Sequence, residues 1–381
     1  VGYGIAVDGS GNVYVTGQAN ATTATASYVF IAKYDTTGVI QWQRSLDTAS
    51  VADVGYGIAV DGSGNVYVTG QANATINAYV FIAKYNSAGT IQWQRKLDVS
   101  SQNDCGYGIA VDGSGNVYVT GQANGTATTA YCFIAKYDTN GVIQWQRVLD
   151  IVTFADFAYG IAVDNAGNVY VTGQATAGAT TAYCFIAKYD TNGAIQWQRA
   201  LDTASASDIG RGIAVDGSGN VYVTGQASQT TEAYVFIAKL MADGSILPGT
   251  SVLTYTADTM VDSAGTLSSD DPTQYWIATL DLALNADSGL GIAVDGSGNI
   301  YVTGQANSTT AAYVFIAKYD TTGAIQWQRK LDTASNSDTG LGIAVDGSGN
   351  VYVTGQANAT TATEEYIYNA KYDTSGVIQR Q

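Results

Sequence analysis

Gly4-Ile5-Ala6-Val7-Asp8-Gly9-Ser10-Gly11-Asn12-Val13-Tyr14-Val15-Thr16-Gly17 decides how this chain folds. Two runs of strand-forming residues flank a cluster, Asp8 to Asn12, that tolerates left-handed backbone and closes tight turns. The string recurs along the chain, with its Asp at 8, 61, 112, 164, 216, 295 and 346. The intervals are 53, 51, 52, 52, 79 and 51 residues, so seven copies are interrupted by one long gap. Working outward in the first copy, strand A covers 4–8, strand B 13–19, strand C 28–34 and strand D 39–46. The turn Asp35-Thr36-Thr37-Gly38 joins C to D.

A period near 50 that carries four short strands is the pattern of blades arranged in a disc. The expectation is an all-β, seven-bladed β-propeller with four antiparallel strands per blade, a single domain over 1–381. The blades are placed at about 1–53, 54–104, 105–156, 157–208, 209–287, 288–338 and 339–381. Each is made of consecutive chain, so the ring is expected to close by face packing between blades one and seven, without strand exchange. The last strand reads Val377-Ile378-Gln379-Arg380-Gln381, with Arg where the other copies have Trp. That marks either a terminal blade with an altered edge or a chain that continues. Val1 stands partway through a repeat, which suggests a processed or cropped piece of a longer product.

Composition narrows the function classes. With 44 Gly, 27 Tyr and 2 Pro, and no sustained 3.6-residue apolar period, almost no helix is expected. Sixteen basic against 32 acidic residues give a net charge of −16, which argues against nucleic acid and anionic membrane surfaces as partners. No apolar run is long enough for membrane insertion as a helix. The chain has no His, the commonest general base and a common metal ligand. Cys105, Cys132 and Cys184 have no metal spacing and read as small buried hydrophobes. No cofactor, metal site or catalytic residue is expected. The Asp-Gly-Ser-Gly-Asn turns resemble calcium loops, but each offers one carboxylate where Ca²⁺ takes six to eight oxygens, so a turn-forming role is preferred.

Six Trp occupy one repeat position: Trp42, Trp93, Trp145, Trp197, Trp276 and Trp327. A sugar-stacking platform is one reading; a blade-packing anchor is preferred. Lys33, Lys84, Lys136, Lys188, Lys239, Lys318 and Lys371 also recur, and Arg follows Trp by two in five blades. Such regular basic residues are expected to be structural, pairing across strands with Asp and Gln.

Three places drift between copies. The loop joining B to C carries Asn-x-Thr at Asn20, Asn73, Asn124, Asn307 and Asn358, candidate N-glycosylation acceptors. The residue two before the strand-A Ile reads Tyr3, Tyr56, Tyr107, Tyr159, Arg211, Leu290 and Leu341. It is placed at the channel mouth on the B–C-loop face, as a candidate ligand contact or a plug. The third is an insertion of about 27 residues between strands C and D of blade five, over 241–273, which holds both prolines, Pro248 and Pro272. Residues 250–256 within it read as a short strand. The insertion is expected to project from the face opposite the B–C loops and to contact a partner or a neighbouring copy.

The motif Asp-x-x-Gly-Asn-x-Tyr-x-x-Gly, met at Asp8, Gly11, Asn12, Tyr14 and Gly17 and repeated downstream, resembles the seven-bladed β-propeller repeats of bacterial and archaeal surface proteins. The resemblance covers the whole chain except the insertion. It implies an extracellular or cell-surface scaffold. Residues 34–42, Tyr-Asp-Thr-Thr-Gly-Val-Ile-Gln-Trp, also resemble the Trp-docking motif of quinone-dependent dehydrogenases and of outer-membrane assembly propellers. In those families the motif is structural and brings no quinone site with it.

The leading expectation is therefore a non-enzymatic, secreted structural or adhesive module, such as a subunit of a surface appendage or virion. Its partners would be copies of itself or another surface protein, with glycans as further candidates. The alternative is a lectin-like propeller with repeated shallow sites. An enzyme with its site at the channel mouth ranks below both.

Overall fold

The computed structural model describes residues 1–20, 27–46, 52–73, 77–100, 102–124, 130–149, 155–176, 182–202, 207–228, 233–245, 254–256, 276–280, 287–307, 312–331, 337–358 and 365–381. Among these there is no helix. Blade one is β1 (Gly2–Val7), β2 (Val13–Asn20), β3 (Ser27–Tyr34) and β4 (Ile40–Leu46), paired antiparallel in chain order. The same order recurs in seven sheets, so the chain is a seven-bladed propeller with four antiparallel strands per blade. Strand A begins earlier than the expected residue 4, at Gly2 in blade one, and at Asp53 in blade two.

Each inner strand packs on the inner strand of the next blade, and Asp338–Val345 packs on Gly2–Val7. Every blade is consecutive chain, so the ring closes through faces, without a shared sheet. The apolar core lies between blades. One cluster joins Tyr118, Cys132, Ile134 and Leu149 of blade three to Ile161, Val169, Val171 and Phe185 of blade four. The seam has its own cluster, in which Ile5, Val15 and Phe30 meet Ala344 and Tyr352. Strand B is buried on both faces, and Tyr14, Tyr67, Tyr118, Tyr170, Tyr222 and Tyr301 are fully enclosed. Burying one such side chain stabilises by about 1.5–3 kcal/mol, so blade docking carries much of the fold's stability.

Blades converge toward the axis, which explains the Gly before Ile-Ala-Val. A Cβ on Gly57 would sit 2.9 Å from the Tyr107 carbonyl oxygen of the next blade. Only a residue without a side chain lets the inner strands approach that closely.

The long gap is accommodated in blade five, where Ala233–Leu240 pairs with Trp276–Leu280 as strands C and D. Within it, Thr254–Thr256 forms a strand, but it joins blade four. It adds antiparallel to the outer strand Ile195–Asp202, with Leu201 opposite Tyr255. This departs from the expected projection off one face. The outer strand offers unpaired N–H and C=O groups, and a passing extended segment satisfies them. The remainder of 241–273 beyond Ser245 lies outside the described residues.

Candidate functional site

The repeated motif is a hydrogen-bonded unit. In blade two, Asp61 Oδ1 accepts from the backbone N–H groups of Ser63 and Asn65, both at 2.9 Å. Its Oδ2 accepts from Asn65 Nδ2 at 2.8 Å and from Tyr67 Oη at 2.9 Å. Gly64 holds φ +76° within the turn. Burial alone would raise the Asp61 carboxyl, but these donors outweigh it and hold it below the ordinary value. The same unit recurs at Asp8, Asp112, Asp164, Asp216, Asp295 and Asp346. Each carboxylate faces donors from its own blade, and among the described residues no cluster of three acidic, His or Cys groups gathers to hold a metal.

The Trp positions are anchors between blades. Trp93 Nε1 donates to the Thr139 carbonyl of blade three at 3.0 Å, and its ring covers Gly141, where a Cβ would lie 2.8 Å from Trp93 Cδ2. Arg95 Nε donates to the Gly141 carbonyl at 2.7 Å, and its guanidinium lies over the Trp93 ring. Trp42, Trp145, Trp197 and Trp327 repeat this contact; the Trp276 side chain lies outside the described residues. At the seam Arg380 takes the anchor's place, donating from Nη1 to the Thr36 carbonyl at 3.1 Å.

The recurrent Lys and Arg are structural, but their partners differ from those expected. Lys84 Nζ donates to the Thr139 carbonyl and lies 5.2 Å from the Tyr67 ring centroid. The basic groups thus face turn carbonyls and aromatic rings, not Asp and Gln. Packed blades bring the next turn's carbonyls within reach, and sequence spacing within one blade does not show this.

The drifting channel position has a distinct geometry. Strand A slips register there in every blade, with Gly55 opposite Gly70 and Gly57 opposite Thr69, so Tyr56 has no cross-strand partner. The same bulge falls at Tyr3, Tyr107, Tyr159, Arg211, Leu290 and Leu341. A bulge adds one residue and re-aims its side chain. Here the re-aimed residues of successive blades meet one another around the axis. Ring centroids are 5.1 Å apart for Tyr3 and Tyr56, 5.4 Å for Tyr56 and Tyr107, and 5.3 Å for Tyr107 and Tyr159. Arg211 continues the row, its guanidinium 4.4 Å from the Tyr159 centroid. Phe157 stacks on the same Tyr159 at 6.0 Å.

All five of these side chains are half-buried. Burial raises the hydroxyls of Tyr56, Tyr107 and Tyr159, and at Tyr159 the Arg211 charge and hydrogen bond oppose it. The Arg211 Nε–H is buried and has no acceptor among the described residues. The tyrosines form one continuous arc, so a site built from them is single and axial, not one per blade.

Sequence reading missed the Gln that borders this arc. Tyr107 Oη donates to Gln122 Oε1 at 3.2 Å, and the Gln122 amide in turn donates to Asn124. The sevenfold Thr-Gly-Gln was the available signal.

The sequon residues Asn20, Asn73, Asn124, Asn307 and Asn358 each end a strand B, on the same face as the arc. Asn124 and Asn307 are half-buried, and the Thr of every sequon lies outside the described residues. The three Cys are buried; burial pushes the thiols of Cys105 and Cys184 up to about 12.

The fold and its sevenfold motif define a repeat-built β-propeller. The beta-propeller repeat family model matches residues 1–22, 48–76, 92–126, 152–178, 196–229, 283–309 and 326–360. That is more than half of the chain, and the chain belongs to this family. It is 33% identical over 116 residues to an uncharacterized WD repeat-containing protein of Acanthamoeba polyphaga mimivirus. That match spans 24% of this chain and 8% of the viral protein. Among solved structures, polysaccharide lyase Uly1 is similar with a TM-score of 0.57 at 10% identity, covering 98% of this chain and 90% of the lyase. The β-propeller domain of the trilobed protease from Pyrococcus furiosus, described as having an open velcro topology, gives a TM-score of 0.51 at 8% identity, covering 100% and 98%. Likeness at such identity is likeness of fold. This fold serves enzymes and non-enzymes alike.

Proposed function

We propose that this chain is a non-enzymatic structural module of a cell surface or extracellular assembly, joining copies of itself or another surface protein through the rim of the disc. The observation that carries the reading is a ring of exposed apolar side chains. Ile40, Ile91, Ile143, Ile195, Ile325 and Ile378 occupy one position in six outer strands, each between 44% and 48% exposed. Val39, Val142 and Val377 stand beside three of them. Outer strands also carry unpaired edges, and Thr254–Thr256 on blade four is an example of such an edge accepting a strand. One weak contact repeated around a rim multiplies into avidity. The resemblance to surface-protein repeats supports the location.

The test is a triple variant, Ile40→Lys, Ile143→Lys and Ile325→Lys, which alters exposed positions only. Sedimentation velocity and retention on the source cell envelope should show lost association at unchanged thermal stability. Association equal to the unaltered chain would remove the reading. A second reading, ligand binding, is favoured by the axial tyrosine arc and would use a different face.

A further inference from the structure

The geometry points to one binding site at the channel mouth, formed by the arc Tyr3, Tyr56, Tyr107 and Tyr159 with Arg211, for a small carboxylate-bearing ligand with a hydrogen-bonding body, the chemistry of a uronic acid. This goes beyond the rim contact, because it uses the axis of the disc and requires no second protein.

Three independent observations converge. First, the bulge places one side chain per blade around the axis, and these side chains differ in chemistry: four Tyr, one Arg, two Leu. The mouth is therefore asymmetric, polar and aromatic on blades one to four, cationic on blade five and apolar on blades six and seven. An asymmetric lining can orient a ligand, which a sevenfold one cannot.

Second, Arg211 has no carboxylate partner among the described residues. The ion pair Lys96–Asp98 lies on another blade. Other guanidiniums of the disc, such as Arg95 and Arg147, are engaged by turn carbonyls. Arg211 instead rests on Tyr159, and its buried Nε–H has no acceptor among the described residues. A half-buried guanidinium with an unmet donor is stabilised by an oxyanion, and its planar fork matches a carboxylate.

Third, the flanking groups suit a polyhydroxylated body. The rings of Tyr3, Tyr56 and Tyr107 are inclined to one another by 55–60°, so the arc is not a single flat stack and offers ring edges as well as faces. Gln122 beside Tyr107 adds an amide. A single cation in a chain of net charge −16 favours a singly charged ligand over a dianion.

The experiment is calorimetric titration of the intact chain with glucuronate, with glucose as the neutral control, and with a glucuronate-containing oligosaccharide. Saturable glucuronate binding without glucose binding supports the site. Tighter oligosaccharide binding assigns a glycan chain as the source, and equal affinity assigns the free acid. Arg211→Leu installs the residue that blades six and seven already carry at this position, so the variant should fold. It should weaken glucuronate about 10- to 100-fold, as expected for losing charge-assisted hydrogen bonds, and Arg211→Lys should recover only part. Equal binding by Arg211→Leu, equal binding of glucose, or no binding of any uronate by the unaltered chain would overturn the inference. The triple rim variant should bind glucuronate normally, which separates this site from the rim reading.

Discussion

Replacing Asp61 by Ala removes the acceptor on which four donors converge. Two of them, the backbone N–H groups of Ser63 and Asn65, lie in the A–B turn, where water can replace part of the lost interaction. The Tyr67 hydroxyl cannot be rescued this way, because Tyr67 is fully buried between blades two and three. An unmet buried hydroxyl costs about 1–3 kcal/mol, and with the lost turn bonds the total for Asp61→Ala comes to about 3 kcal/mol. Tyr67→Phe removes the donor itself and leaves Asp61 its other three partners, so it should cost about 1 kcal/mol. In the double variant no hydroxyl is orphaned. Its destabilisation should fall short of the sum of the single changes by about 1–2 kcal/mol, a coupling expected only of groups in direct contact. Urea unfolding followed by tryptophan fluorescence measures all three, since Trp93 reports on the same blade junction. Additivity within about 0.5 kcal/mol, or a cost for Asp61→Ala below about 1 kcal/mol, would show that the motif is a local turn device and not a strut between strands.

The carboxyls of Asp8, Asp61, Asp112, Asp164, Asp295 and Asp346 are held below the ordinary aspartate value by their turn donors, against the opposing effect of burial. Their stabilisation is complete above the unfolded value and is lost as pH falls through the folded values, so the melting temperature should be level above about pH 5 and fall steeply below pH 4. A melting curve unchanged down to pH 2 would contradict this. Arg380→Trp should place an aromatic anchor over Gly38, raising the melting temperature by a few degrees, about 1 kcal/mol for an added aromatic anchor; a lower melting temperature would mean that the seam is built for Arg. Cys105 and Cys184 should resist iodoacetamide at pH 8 in the folded chain and react on unfolding, read by intact mass; rapid labelling of the folded chain would place them at an accessible surface.

Much of the disc could be read from residues alone. The strand–turn–strand string, its period and its sevenfold recurrence are local facts, because each blade is consecutive chain and repeats its own hydrogen bonds. The Trp anchor was legible for the same reason, as one large side chain per blade has few other uses. The partners of Lys84 and Arg95 were not, because they are carbonyls of a turn about 45–55 residues downstream. The destination of Thr254–Thr256 was equally hidden, since a short alternating segment specifies that it can pair and not which edge it meets.

The channel position marks the boundary between the two kinds of information. The amino-acid sequence by itself determined that Tyr3, Tyr56, Tyr107, Tyr159 and Arg211 share one repeat position and that this position drifts. Only the tertiary structure decided that they form one arc. Each side chain is re-aimed by a bulge, and packing of successive blades brings the rings of tyrosines about 50 residues apart to centroid distances of 5.1–5.4 Å. Periodicity sets which residues are equivalent, but convergence of the blades sets which of them touch.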